Sequence, residues 1–200
     1  MDLQTIIFIG RPGSGKGTQS ALAQEFLRNH APEIRTMYFE TGSYFRKYIK
    51  EKTGYTWDQA RHVLEVGGRQ PDFLAVWIWS EIFINEAHGS EHFIFDGMPR
   101  SFAEAKILET AFPFYKRENP TVVFIDVSHD WAESHLQNRG RADDKKPEVI
   151  EKRLSWYEGD VLPAINYYRE NPLYRFLQIN GEQTPEQVSN DVLKALGLTK

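Results

Sequence analysis

Glycines at 10, 13, 15 and 17 interleave with Ser14, Lys16 and Thr18 in the stretch GRPGSGKGT, immediately after the apolar run TIIFIG. Glycine permits backbone angles and a close ligand approach that a Cβ forbids. Where such a stretch leaves a strand and opens a helix, successive backbone N–H groups converge on an anion at the positive end of that helix. Lys16 adds a full charge against the outer phosphates, so a phosphate cradle is a better reading than a plain glycine-rich turn. The common phosphate-loop pattern has Ser or Thr directly after its lysine, whereas here Gly17 comes first and Thr18 second. Asp96 closes another apolar run, HFIFD. A carboxylate there is placed to orient water around Mg²⁺, which takes oxygen ligands and keeps much of its hydration; by residue type alone it is equally a turn cap.

The elements that must hold these residues are legible as alternating runs. Short apolar segments lie at 5 to 10, 36 to 40, 92 to 96, 121 to 127 and 174 to 180, and their near-continuous hydrophobicity suits strands buried on both faces. Helix periodicity runs over 16 to 29, 70 to 88, 101 to 111, 130 to 139, 147 to 169 and 185 to 196. Alternation of this kind implies a parallel sheet covered by helices. The interval 42 to 91 is too long for a simple crossover and holds helical pieces of its own, SYFRKYI and WDQARHVLEV, so it reads as an insertion over the edge of the sheet. WIWSEIF, at 77 to 83, reads as core packing rather than a stacking platform.

Composition excludes several function classes. Two hundred residues, 40% hydrophobic, suffice for one sizeable core. A formal net charge of −4 argues against a nucleic-acid footprint. The absence of cysteine excludes disulfides and cysteine-ligated zinc, and the six histidines show no metal-ligand spacing. No apolar stretch approaches membrane-spanning length, and the N-terminal residues lack the positive flank of a signal peptide. The expectation is a cytoplasmic, monomeric protein acting on small molecules, with no nucleic-acid or membrane partner.

GRPGSGKGTQ resembles the loop of adenylate kinase and its nucleoside monophosphate kinase relatives, in which Gly-Lys-Gly-Thr is usual. ETGSYFR (40 to 46), GGRQPD (67 to 72), FIFDGMPRS (93 to 101), NRGRADD (138 to 144) and EKRLSWYEGDVLPAINYY (151 to 168) are similar to further family segments and follow in the family order. The resemblance implies a P-loop NTPase-type, three-layer α/β fold with a five-stranded parallel sheet and helices on both faces. It also implies a core of 1 to 41, 73 to 138 and 147 to 200, an insertion binding the monophosphate at 42 to 72, and a short lid at 139 to 146. The implied activity is reversible, Mg²⁺-dependent transfer of the γ-phosphoryl group of ATP to a nucleoside monophosphate.

Carried over by residue, Gly13, Ser14, Gly15, Lys16, Gly17 and Thr18 hold the donor phosphates, with His135, Arg139 and Gln183 also on the ATP side. Thr41, Gly42, Arg46, Gly68, Arg69, Gln70, Gly97, Met98, Arg100 and Glu104 bind the acceptor, the contribution of 68 to 70 being backbone. Arg139, Arg141 and Arg153 surround the transferring group, the last two also reaching the acceptor, while Asp143 and Asp144 hold the lid arginines poised for closure. Thr18 and Asp96 serve Mg²⁺, the carboxylate acting through water because Mg²⁺ retains much of its hydration shell. The chemistry agrees independently. Phosphoryl transfer through a loose transition state needs in-line positioning and charge neutralisation rather than a covalent nucleophile, and guanidinium forks grip phosphate oxygens bidentately. The acceptor oxygen is already ionised at neutral pH, so no general base is assigned. From spacing alone, Arg100 is equally a partner of Asp96 or Glu104, and Arg153 a solvated helix charge.

Departures from the family pattern mark what is particular to this chain. Adenylate kinases have a glutamine reading the AMP base where this chain has Glu104. An amide both donates and accepts, whereas an ionised carboxylate only accepts. Glu104 therefore complements a base with a ring N–H, such as guanine, uracil or thymine, and implies a non-AMP or relaxed acceptor preference, with AMP still open as the acceptor if Glu104 accepts from its 6-amino group alone or turns away. His135 stands where relatives often have an arginine stacked on the donor adenine; a single Gly140 separates Arg139 from Arg141 in the lid; Ser43 replaces the usual Asp. Other readings are a kinase of a different small acceptor and a nucleotide-binding module without turnover. The retained Thr41, Arg46 and Arg100 disfavour the first, and the intact loop and lid arginines the second. A GTPase switch lacks its Asn-Lys-x-Asp motif here.

Overall fold

The computed structural model describes residues 1–140 and 146–198. Arg141, Asp143 and Asp144 lie outside the described residues. Five parallel strands, β1 (Thr5–Gly10), β2 (Thr36–Phe39), β3 (His92–Asp96), β4 (Thr121–Asp126) and β5 (Arg175–Asn180), form one sheet in the order β2-β3-β1-β4-β5. This is the five-stranded parallel sheet implied by the alternation of apolar runs.

Every residue of β1 is buried because both faces of the sheet are covered. Ile7 and Ile9 point to one side, with Phe39, Phe93, Phe95, Val122 and Phe124. That layer is closed by the helices α4 (Asp72–Glu86), α5 (Phe102–Phe114) and α8 (Leu162–Glu170). Ile6 and Phe8 point to the other side with Ile94, Val123 and Ile125, against α1 (Lys16–His30) and α9 (Pro185–Leu196). The period of two along a strand thus feeds two cores from one sequence run. Ile78, Trp79, Ile82 and Phe83 are buried, so the WIWSEIF segment packs the core as its pattern implied.

The chain leaves β1 toward β2 on one side and leaves β4 toward β5 on the other. The two diverging connections open a crevice at the carboxyl ends of β1 and β4, where ligands bind in open α/β sheets. The glycine-rich loop emerges there. Two helices, α2 (Thr41–Glu51) and α3 (Tyr55–Glu65), form the insertion after β2. Helix α2 begins at Thr41, one residue before the expected edge of the insertion, and α4 begins at Asp72 because Pro71 holds an extended conformation just before it.

The helix expected over 147 to 169 differs in one respect. It is α7 (Pro147–Trp156) joined to α8 through a wider π turn, Tyr157–Val161. Pro163 has no N–H to return to the preceding turn and its ring crowds that turn's carbonyl, and a widened turn relieves the conflict. The turn has a consequence for the cleft. Tyr157 comes to lie under the Arg11 guanidinium, 4.1 Å from ring centre, and Asp160 reaches Arg69 Nε at 3.2 Å. The remaining helix, α6 (His129–Asn138), follows β4 and starts at a Ser128 cap whose Oγ accepts from Trp131 N–H.

Candidate active site

Residues 10 to 15 form the loop between β1 and α1, with Gly15 as the helix N-cap. Gly13 has φ +85°, and a Cβ there would lie 2.4 Å from the Ala132 carbonyl oxygen of α6. The loop is therefore seated against α6 in a shape that only glycine adopts without strain. Ser14 is 4% exposed and its Oγ has no hydrogen-bond partner among the described residues. Lys16 folds back so that Nζ donates to the Arg11 carbonyl, 3.2 Å away. Gly13→Ala should cost roughly 1–3 kcal/mol in backbone strain, plus the clash with Ala132. A lowered urea midpoint together with weakened binding of ATP checks it; unchanged values for both would refute this loop geometry.

Gly17, the residue that interrupts the common loop pattern, has a structural reason. A Cβ at this position would begin 3.2 Å from Asp96 Oδ2. The first turn of α1 therefore packs directly against the carboxylate at the end of β3. Asp96 is 8% exposed, and Tyr38 O–H donates to its Oδ2 at 2.8 Å. Burial raises the Asp96 pKa, and Lys16 opposes that rise. One recessed carboxylate beside an anion cradle fits Mg²⁺, which binds through one or two carboxylates, its own waters and substrate phosphates. Thr18 is exposed in the first turn of α1 and is not among the residues lining the cleft.

Opposite the loop, cationic side chains converge. A side chain at Gly42 would begin 3.2 Å from Arg46 Nη1 and 3.3 Å from Arg100 Nη2, and one at Gly97 would begin 3.0 Å from Lys16 Cε. Arg100 is aimed by its Nε–H donating to the Gly97 carbonyl at 2.7 Å. Arg46 Nη2 donates to Glu40 at 2.7 Å. Lys16, Arg46, Asp96, Arg100, Arg139 and Arg153 all line one open cleft of about 1040 Å³. Thr41 O–H donates to the buried Met98 Sδ at 3.2 Å, which fixes the start of α2 beside that cleft. Gly68 and Gln70 line it as well, and Trp156 Nε1–H donates to the Gly67 carbonyl at 3.2 Å, tying α7 to that turn.

Two residues expected on the donor side are occupied elsewhere. His135 stacks on Trp131 with ring centres 4.5 Å apart, and its Nδ1 lies 2.9 Å from the Trp131 carbonyl. Gln183 donates to Asn180 O and Asp191 Oδ2 within the connection from β5 to α9. Neither lines the cleft. Tyr38 and Trp156 are not legible as site residues, because each acts through a partner distant in sequence, and Glu40, six residues from its partner Arg46, carries no local pattern that marks it. Arg69 was expected to contribute its backbone, yet its side chain faces an adjoining cavity.

That small cavity is lined by Thr41, Phe45, Arg69, Met98, Arg100 and Glu104, among others. Glu104 lies in the first turn of α5, whose cap Ser101 Oγ accepts from its backbone N–H at 3.0 Å. Its side chain is almost fully enclosed, and burial pushes its pKa up to about 7 against the counteracting charges of Arg100 and Arg69. The folded state thus holds a proton on Glu104 longer than the unfolded chain does. Stability contributed below the ordinary value of 4.5 is lost as pH rises toward about 7. Glu104→Gln should therefore stabilise the protein at pH 8 by on the order of 2 kcal/mol and leave it nearly unchanged at pH 4.5. Urea unfolding at both pH values checks this; an equal change at the two would refute it.

Fold and site together define a P-loop phosphotransferase with an anion cradle facing a cluster of guanidinium groups. The family model described as adenylate kinase matches residues 8–173. Adenylate kinase 1 from a Nostoc species is 34% identical over 192 residues, covering 96% of this chain and 98% of that protein. The adenylate kinases of Leptospira biflexa and Corynebacterium glutamicum are 32% and 33% identical, over 97% and 96% of this chain and 100% and 98% of their own lengths. The chain belongs to the adenylate kinase family, and its activity is that of a nucleoside monophosphate kinase. Among the described residues, no helix is long and apolar enough to cross a membrane.

Proposed function

We propose that the chain transfers the γ-phosphoryl group of ATP reversibly to a nucleoside monophosphate whose base carries a ring N–H, with AMP not the preferred acceptor. The observation that carries the acceptor assignment is Glu104, a carboxyl enclosed beside Arg100 and Arg69 that, once ionised above its raised pKa of about 7, can only accept, whereas adenine N1 needs a donor. In this reading residues 13 to 18 hold the donor phosphates, and Thr41, Arg46, Gly97 and Arg100 hold the acceptor phosphate from the insertion at 42 to 72 and the end of β3. Arg139 and Arg153, with Arg141, Asp143 and Asp144 of a lid at 139 to 146, close over the transferring group. His135 and Gln183, which do not line the cleft, would reach the donor only by leaving their present partners.

Catalysis then rests on alignment and charge. The loop fixes the donor phosphates, Arg46 and Arg100 fix the attacking oxygen, and Lys16 and Arg153 neutralise charge on the group in flight. Asp96 and Thr18 are the residues that would hold Mg²⁺, which when bound would supply further charge neutralisation on the phosphate oxygens. The lack of cysteine supports a cytoplasmic location, and we assign a monomer. A coupled assay of AMP, GMP, UMP, CMP and dTMP, with ATP and GTP as donors, tests the reading. Turnover with a monophosphate other than AMP is expected to lead, and strict AMP selectivity would overturn the acceptor preference.

A further inference from the structure

Behind the cleft, the last residue of α7 and the π turn that follows it grip both sides of the site. On the glycine-rich loop, the Arg11 guanidinium lies 4.1 Å from the Tyr157 ring centre, and its Nη1 pairs with Glu158 Oε1 at 2.9 Å. Tyr157 is buried in the core, whereas Glu158 is exposed. The ring is therefore the firm part of this grip, since a planar guanidinium stacks well on a desolvated aromatic face and an exposed ion pair contributes little. On the turn at 67 to 70, Asp160 Oδ2 holds Arg69 Nε at 3.2 Å, and Trp156 Nε1–H donates to the Gly67 carbonyl at 3.2 Å. A Cβ at Gly67 would lie 2.7 Å from the Val149 carbonyl oxygen, so this turn also sits directly on α7.

The π turn is what lets one support reach two loops. Residues three apart in a regular α-helix share a face, and a turn widened to i→i+5 closure rotates them away from each other. Tyr157 accordingly faces the glycine-rich loop while Asp160 faces the 67 to 70 turn. Arg11, Arg69, Tyr157, Glu158 and Asp160 are all absent from the lining of the main cleft. Their contacts therefore act on the backbone that carries the site. Arg153, on the same α7, does line the cleft.

We propose that Tyr157 and Asp160 are positioning residues for phosphoryl transfer: through Arg11 and Arg69 they hold the glycine-rich loop and the 67 to 70 turn in fixed register across the cleft, so that donor and acceptor phosphates meet in line. This rests on the reading that assigns residues 13 to 18 to the donor and the opposing arginines to the acceptor. Alignment carries much of the rate in a reaction without a covalent nucleophile, and a displacement of about 1 Å can cost roughly 10²-fold.

The test compares Arg11→Ala, Asp160→Ala and the double variant with the wild type, at a temperature well below their unfolding midpoints, using ATP and the best acceptor among AMP, GMP, UMP, CMP and dTMP. Calorimetry gives the dissociation constant of each substrate alone. Each single variant is expected to lose about tenfold or more in kcat and to bind ATP alone and the monophosphate alone within about threefold of wild type, a split that a loosened fold does not produce. The double variant is expected to be little worse than the slower single one, because releasing either end of the support already frees the two loops from each other. Arg11→Lys and Asp160→Asn keep most of the packing and should recover part of the rate. If an alanine variant fails to fold, its conservative counterpart takes its place, and a wild-type kcat there overturns the proposal. Unchanged kcat in both alanine variants, or losses that multiply in the double variant, would overturn the positioning role and leave the kinase reading intact. So would a loss in kcat/KM matched by weaker binding of one substrate alone, which would make the residue part of that substrate's own site. No transfer by the wild type to any monophosphate would overturn the kinase reading and this inference with it.

Discussion

Lys16→Met abolishes phosphoryl transfer while the fold persists. The side chain is half-buried, its Nζ rests on the Arg11 carbonyl, and its stem passes within 3.0 Å of where a side chain at Gly97 would begin. It therefore spans from the loop to the carboxyl end of β3, between the parts of the cleft that the proposed reading assigns to donor and acceptor. Methionine retains most of the stem's length and packing and removes only the charge. The expected loss in kcat is on the order of 10³-fold or more, the scale on which a positioned charge stabilises a developing phosphoryl charge. The unfolding midpoint should shift little, because Lys16 belongs to none of the apolar clusters. The coupled assay reads the first quantity and thermal unfolding the second. Undiminished turnover would remove Lys16 from the site.

The second large effect is expected at Arg100. Its guanidinium is aimed by Gly97 and lies with Arg46 over Gly42, the side of the cleft to which the proposed reading assigns the acceptor. Arg100→Ala should raise KM for the monophosphate by about 10²-fold, the loss of a charge-assisted fork on phosphate, and leave KM for ATP within about threefold, an acceptor-specific split. Arg100→Lys should recover only part of this, since an ammonium keeps the charge and loses the fork. Equal increases in both KM values would show that Arg100 does not distinguish the two substrates. Because Arg100 also offsets the buried Glu104, part of the effect on stability should be relieved by combining the change with Glu104→Gln.

The two experiments probe parts of the site that were unequally legible. Lys16 was identified by local spacing, because a loop whose backbone must cradle phosphate imposes glycines and a lysine within a few residues. The same locality revealed the strands: 5 to 10 and 92 to 96 are apolar without alternation, as burial on both faces requires. Helix ends were less clear. The run 147 to 169 reads as one helix, and whether Pro163 within it stops the helix, kinks it or widens a turn is decided only by the neighbours it packs against.

What the sequence by itself determined is the phosphate chemistry and the order of the elements, since both follow from neighbouring residues: backbone conformation, apolar periodicity and the glycine-lysine cradle. Tertiary structure alone decided that Gly17 must be small because Asp96 sits against it, and that Tyr38 holds Asp96. It also decided that Arg69 turns its side chain toward Glu104 while Asp72 and Asp160 hold it. Those pairings join residues from separate helices and strands. Their energies depend on distance, burial and the number of donors and acceptors in one enclosed space, and none of these is a property of local sequence.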